Sequence, residues 1–208
     1  MFLLIGVVGS GIMAQRLSPT DVGLQLLQNA MATAGVLVAV ITIFGTISAD
    51  VNPAVTLGAW ALGHRAGREV GPMLVVQVSG GCVGTVVANL MFDLPPIVLS
   101  TTTRSAGHLW LGEAVATVGL LLVVFSLIRT GRSSALPYAV ASYIGAAYYF
   151  TSSTGFANPA VTVARTLSDT FTGIRPSSAP MFIGMQVAGV VIAVVLLRAL
   201  FPSPASTT

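Results

Sequence analysis

No lysine occurs in this chain: all nine basic residues are arginine, and six acidic residues stand against them. Charged side chains make up 7% of the 208 residues, where a soluble domain carries about a quarter. So few charges cannot clothe the surface of a water-soluble fold of this size. The net charge of +3 is small and scattered, which excludes nucleic acid as an expected partner. A single cysteine, Cys82, cannot form an internal disulfide and says nothing about redox compartment. It lies in the small-residue run SGGCVG, which suits close helix packing, as do Gly6, Gly9, Gly11, Gly80, Gly81 and Gly84. The two histidines, His64 and His108, sit at segment edges. No His/Cys/Asp cluster has metal-ligand spacing, and no Ser-His-Asp set, phosphate loop or dinucleotide fingerprint occurs. No metal, cofactor or enzymatic activity is expected.

Apolar sequence is what the chain has in excess, with 54% hydrophobic residues and a mean hydropathy of +0.90. The bilayer is the natural solvent for such a chain. Six long apolar segments run over residues 1–15, 24–47, 70–92, 108–128, 136–153 and 180–201. The first is shorter than the roughly 20 residues a helix needs to cross the hydrocarbon. It lacks the basic start and cleavage site of a signal peptide, so it reads as a membrane helix. It opens at a methionine already inside apolar sequence, and the expectation is that an N-terminal piece of this helix is missing.

Two shorter pieces, 52–63 and 158–169, open on the same pentapeptide, Asn-Pro-Ala-Val-Thr. At 1.5 Å per residue each covers about 18 Å, roughly half of the hydrocarbon layer. Both halves of the chain therefore read span, span, half-helix, span. Pro72-Met73 recurs as Pro180-Met181, and Gln77-Val78-Ser79-Gly80 as Gln186-Val187-Ala188-Gly189. Three spans per half is an odd number, so the second half enters the membrane upside down, as an inverted repeat over about 1–92 and 107–201. With a cytoplasmic N-terminus, Arg65, Arg68, Arg129, Arg132 and Arg198 fall inside and Arg16, Arg104 and Arg175 outside.

The pentapeptide is a good helix start. Asn52 and Asn158 are N-cap residues whose side-chain oxygens accept from the first turn, and Pro53 and Pro159 suit the first helical position. Half-helices entering from opposite faces meet N-terminus to N-terminus near the midplane, each with a partial positive charge of about half a unit. Irregular backbone at that depth must be buried or line a wet cavity. The amide hydrogens of the two asparagines are expected to face that lumen, and the positive potential opposes cations and hydronium.

These features resemble the aquaporin, or major intrinsic protein, family across nearly the whole chain. The resemblance implies an all-α membrane protein: a right-handed bundle of six transmembrane helices with two re-entrant half-helices, forming one channel domain over 1–208. It implies a multi-pass protein of a cell membrane, surrounded by lipid and assembled as a homotetramer with one pore per protomer. Flow of water and small neutral solutes would be passive, with Asn52, Pro53, Ala54, Asn158, Pro159 and Ala160 at the central constriction. It also implies that Glu113, in the fourth span, is a scaffold carboxylate accepting hydrogen bonds from a re-entrant loop.

Aligned by motif spacing, the filter positions of the family fall on Thr33, Ala147 (Ala146 if the following loop is counted one residue short), Phe156 and Val161. Most members have Arg where Val161 stands. Arg165 lies a full helical turn further on. The filter is thus expected to be small, neutral and mostly apolar, and so permissive toward uncharged solutes such as glycerol-like polyols. Val after the second motif is similar to a bacterial branch associated with arsenic resistance, which adds arsenite as As(OH)₃ or methylated arsenicals to the expected cargo. Asp50 also departs from the family: it either fastens the loop before Asn52 or lines the inner vestibule. An ion-coupled transporter, which would need a titratable midplane group such as Glu113, and a non-conducting membrane scaffold are the alternatives.

Overall fold

Residues 1–45, 47 and 50–201 are described by a computed structural model. Eight α-helices order the described chain: α1 (Phe2–Leu17), α2 (Val22–Phe44), α3 (Pro53–Ala61), α4 (Gly67–Met91), α5 (Gly107–Arg129), α6 (Leu136–Phe150), α7 (Pro159–Ala164) and α8 (Ala179–Leu200). Among the described residues there is no strand. Each half supplies two longer helices, a short one and a longer one. Four helices are long and apolar enough to cross a membrane: α2, α4, α5, and α8 with the turn before it. α1 has 16 residues and α6 has 15. Valines such as Val75, Val76, Val191 and Val195 point outward from α4 and α8, as lipid-facing helix surfaces require.

Local chemistry sets the helix ends. Asp21 caps α2, its carboxylate accepting from the Leu24 amide at 2.9 Å. α6 stops at Phe150, three residues short of the segment end at residue 153. There the Thr151 hydroxyl bonds back to the Ala147 carbonyl at 2.7 Å, and the chain then turns through left-handed backbone at Thr154, Gly155 and Ala157 (φ 65°, 57° and 48°). At Gly155 a side chain is excluded twice over, because a Cβ would also lie 2.8 Å from that of Ala147. The half-helices are shorter than the sequence indicates. α3 ends at Ala61 rather than residue 63, and α7 ends at Ala164, followed by a 3₁₀ turn over Arg165–Leu167 rather than helix to residue 169.

Long helices pack as α1 on α2 and α4, α2 on α6, and α5 on α6 and α8. α5 and α8 pack closely, so that a Cβ on Gly189 would sit 2.8 Å from the Cβ of Thr117 and 2.9 Å from the Ala114 carbonyl. The short helices cross over: α3 lies against α8 of the other half, and α7 against α4. Val8, Leu121, Phe125, Phe182 and Leu197, none more than 2% exposed, form the core around them.

Candidate functional site

The two Asn-Pro-Ala starts face one another. Asn52 accepts from the Ala54 amide at 2.8 Å, and Asn158 accepts from the amides of Ala160 and Val161 at 3.0 and 3.2 Å. Pro53, Ala54, Pro159 and Ala160 are all buried and build these first turns. The asparagine amides also clasp each other's loops. Asn52 Nδ2 donates to the Ala157 carbonyl at 2.7 Å, and Asn158 Nδ2 donates to the Val51 carbonyl at 3.1 Å. One amide hydrogen of each asparagine is therefore spent across the repeat boundary. That corrects the expectation that both are free; one on each remains for the cavity.

Glu113, fully buried, holds the second loop in place. Its carboxylate accepts from the amides of Phe156 (2.9 Å) and Ala157 (3.0 Å) and from Gln186 Nε2 (2.6 Å). Ala157 thus has both backbone groups bonded, its N–H to Glu113 and its carbonyl to Asn52. This secures a left-handed alanine that would otherwise be strained.

Gln186 Nε2 also donates to Thr162 Oγ1 at 2.9 Å, and in the first half Gln77 Nε2 donates to Thr56 Oγ1 at 2.9 Å. Each of these threonines closes its pentapeptide. Gln77 makes its other bond to the Asp50 carbonyl at 2.6 Å, where Gln186 bonds a carboxylate. Sequence reasoning recorded the recurring glutamines as marks of repetition and missed that each pins a half-helix to the following span.

The asparagines open on a cavity of about 60 Å³, room for a few water-sized molecules. Thr33, Phe156 and Val161 line it, as their motif positions indicate. Ala147 does not. It is buried against Gly155, and Ala146 is exposed on the outer face. The next residue, Tyr148, occupies the wall, its hydroxyl 3.0 Å from Thr33 Oγ1. Arg165 lines the cavity as well. Its guanidinium carbon lies 3.5 Å from the Phe156 ring centroid, its Nε donates to the Thr172 carbonyl, and Arg104 approaches the same ring at 5.2 Å. Burial lowers the Arg104 pKa from its ordinary value, with the charge of Glu113 acting in the opposite direction. The wall is therefore neither small nor neutral, because the tyrosine ring and a guanidinium stand where alanine and no charge were expected. A helix residue displaced by one position turns about 100°, which carries Ala147 off the wall and Tyr148 onto it. The rest of the wall is aliphatic, including Leu37, Val55, Leu120 and Ile144.

At the other end Asp50 pairs with Arg65 at 2.5 Å, and Arg65 with Glu69 at 3.1 Å. With its carbonyl held by Gln77, Asp50 fastens the loop before Asn52 to the start of α4. It also borders a second cavity, of about 350 Å³, beside Phe2 and Phe44. His64 stacks on Phe125 with ring centroids 6.0 Å apart. Among the described residues no group of His, Cys, Asp or Glu could hold a metal ion.

The sequence profile of the family described as Major intrinsic protein matches residues 1–157. The chain belongs to that family. Among curated members it is 45% identical over 197 residues to aquaglyceroporin AqpS of Rhizobium meliloti (strain 1021), covering 94% of this chain and 84% of that one. It is 32% identical over 111 residues to the probable aquaporin AqpM of Archaeoglobus fulgidus, covering 50% of this chain and 45% of that one. The aquaglyceroporin of Plasmodium falciparum shares the fold, with a TM-score of 0.71 at 18% identity over 97% of this chain and 93% of that one. As a major intrinsic protein the chain is a multi-pass membrane channel and not an enzyme.

Proposed function

We propose that the cavity at the asparagine tips is the central stretch of a passive pore for water and glycerol-like polyols, within a single channel domain built of two inverted repeats. The observation that carries this reading is the split character of the wall. Asn52, Asn158, Thr33, Tyr148 and Arg165 offer hydrogen-bonding groups, while aliphatic side chains such as Val55, Leu120 and Ile144 cover the rest. A polyol has the same two faces, a hydroxyl edge and a carbon backbone. It replaces lost hydration on the polar strip and leaves the apolar strip with nothing to solvate. The 45% identical relative is an aquaglyceroporin by name, which supports the same class. Small neutral hydroxides such as As(OH)₃ and methylated arsenicals present similar oxygen edges and belong to the proposed cargo. The facing helix N-termini act against protons and cations, and four copies form the membrane assembly. Glu113, the one intramembrane carboxylate considered for ion coupling, has its oxygens occupied by two backbone amides and Gln186, which counts against a coupled transporter.

Proteoliposomes placed in an inward glycerol gradient test the reading by light scattering. Reswelling several-fold faster than in protein-free vesicles is expected, with arsenite entry measured in parallel. Glycerol reswelling no faster than in empty vesicles refutes it.

A further inference from the structure

Arg165 is the one charged residue in the cavity wall among the described residues, and it is only 3% exposed. Its inner end is fully fixed. The backbone carbonyl accepts from the Ile174 amide at 3.3 Å, and Nε donates to the Thr172 carbonyl. The planar group rests on Phe156, a cation–π contact strengthened where water is excluded. Phe156 is itself immobilised by the edge-on ring of Phe182 at 5.3 Å and by the bond from its amide to Glu113. The two terminal nitrogens differ: among the described residues no side chain or carbonyl accepts from Nη1 or Nη2. A guanidinium does not lose its proton, and a buried charge without acceptors is costly. Those donors must therefore bond to whatever fills the cavity.

We propose that Arg165 is the specificity-determining residue of this channel: its terminal nitrogens orient the oxygen atoms of passing solutes, and its charge bars cations. The inference rests on the pore reading above. Residue 165 lies four positions beyond Val161, about 6 Å along the backbone, and its guanidinium reaches the cavity across the Phe156 ring. The short aliphatic side chain of Val161 leaves the intervening wall apolar. Arg104, 5.2 Å from the same ring, adds a second positive charge, and among the described residues no carboxylate lines the cavity. The favoured solutes are compact neutral molecules with several oxygen acceptors. Ammonium-type and guanidinium-type ions of the same size are excluded.

Wild-type protein, Arg165→Met and Arg165→Gln are reconstituted, with size-exclusion profiles checking that each is folded. Glycerol flux and uptake of methylammonium and guanidinium are then measured. Gln keeps a donor for Thr172, so it carries the test if Met does not fold. The wild type is expected to pass glycerol and exclude both cations. The neutral variants are expected to admit the cations at least about tenfold faster while still passing glycerol. Installing Val161→Arg together with Arg165→Val is expected to restore cation exclusion, which a merely structural arginine would not do. Folded neutral variants that pass glycerol and remain as cation-tight as wild type overturn the assignment and leave the pore reading standing. A wild type that passes no glycerol removes both.

Discussion

A carboxylate with no solute in reach can still decide what a pore looks like. Glu113 accepts from two backbone amides and Gln186, and through Phe156 it fixes the platform under Arg165. In Glu113→Gln one oxygen becomes a donor facing donors. The expected loss is about 2–3 kcal/mol, since a buried donor is left unpaired; SDS-induced unfolding in mixed micelles would measure it. Glycerol flux should fall with the folded fraction and further, because the Phe156 loop loses its anchor. The asparagines and prolines were legible from sequence, because a capping pair at the head of a short apolar stretch has few physical explanations; the role of Glu113 came from the family resemblance, since a lone carboxylate in a span could equally have served ion coupling. Tyr148 and Arg165 were not legible. Placing them needs the rotation of α6 and the early end of α7, which no periodic pattern shows.

The longer helices were visible as apolar runs, but their ends were not. The apolar residues end at Phe150, but Thr151, Ser152 and Ser153 do not by themselves mark a stop; the Thr151 hydroxyl and the left-handed backbone of residues 154–157 end the helix there. The packing of α5 against α8 is likewise silent in composition, although Gly189 was noted as a repeat of Gly80. Gly189→Val should destabilise the protein by about 1–3 kcal/mol through overpacking, as a Cβ there meets Thr117 and the Ala114 carbonyl within 3 Å. Gly184→Ala on the same helix, with nothing within 4 Å of the added methyl, is the control. It should cost nothing and raise stability by up to about 1 kcal/mol, the helix-propensity gain of Ala over Gly. Equal losses in a thermal-shift series would show that α8 is sensitive everywhere and not at the contact.

Across the whole molecule the arginines set a sidedness. With Arg65, Arg68, Arg129, Arg132 and Arg198 on one side and Arg16, Arg104 and Arg175 on the other, the N-terminus is expected to be cytoplasmic. A cysteine at Ser105 in a Cys82→Ser background should react with an impermeant maleimide added to intact cells. One at Ser134 should react only after the membrane is opened. The reverse pattern would invert the assigned topology. The clasp between Asn52 and the Ala157 carbonyl, returned by Asn158 to Val51, also bears on how the chain is made. As translation proceeds from the N-terminus, the first re-entrant loop is synthesised long before its counterpart, and its asparagine has no Ala157 to grasp until 105 further residues have emerged. A nascent chain halted after α4 holds a stub with an unclosed end deep in lipid. Closure of the passage is therefore a late event of biogenesis, and a half-length fragment cannot complete its own tip without a copy of the other half supplied alongside.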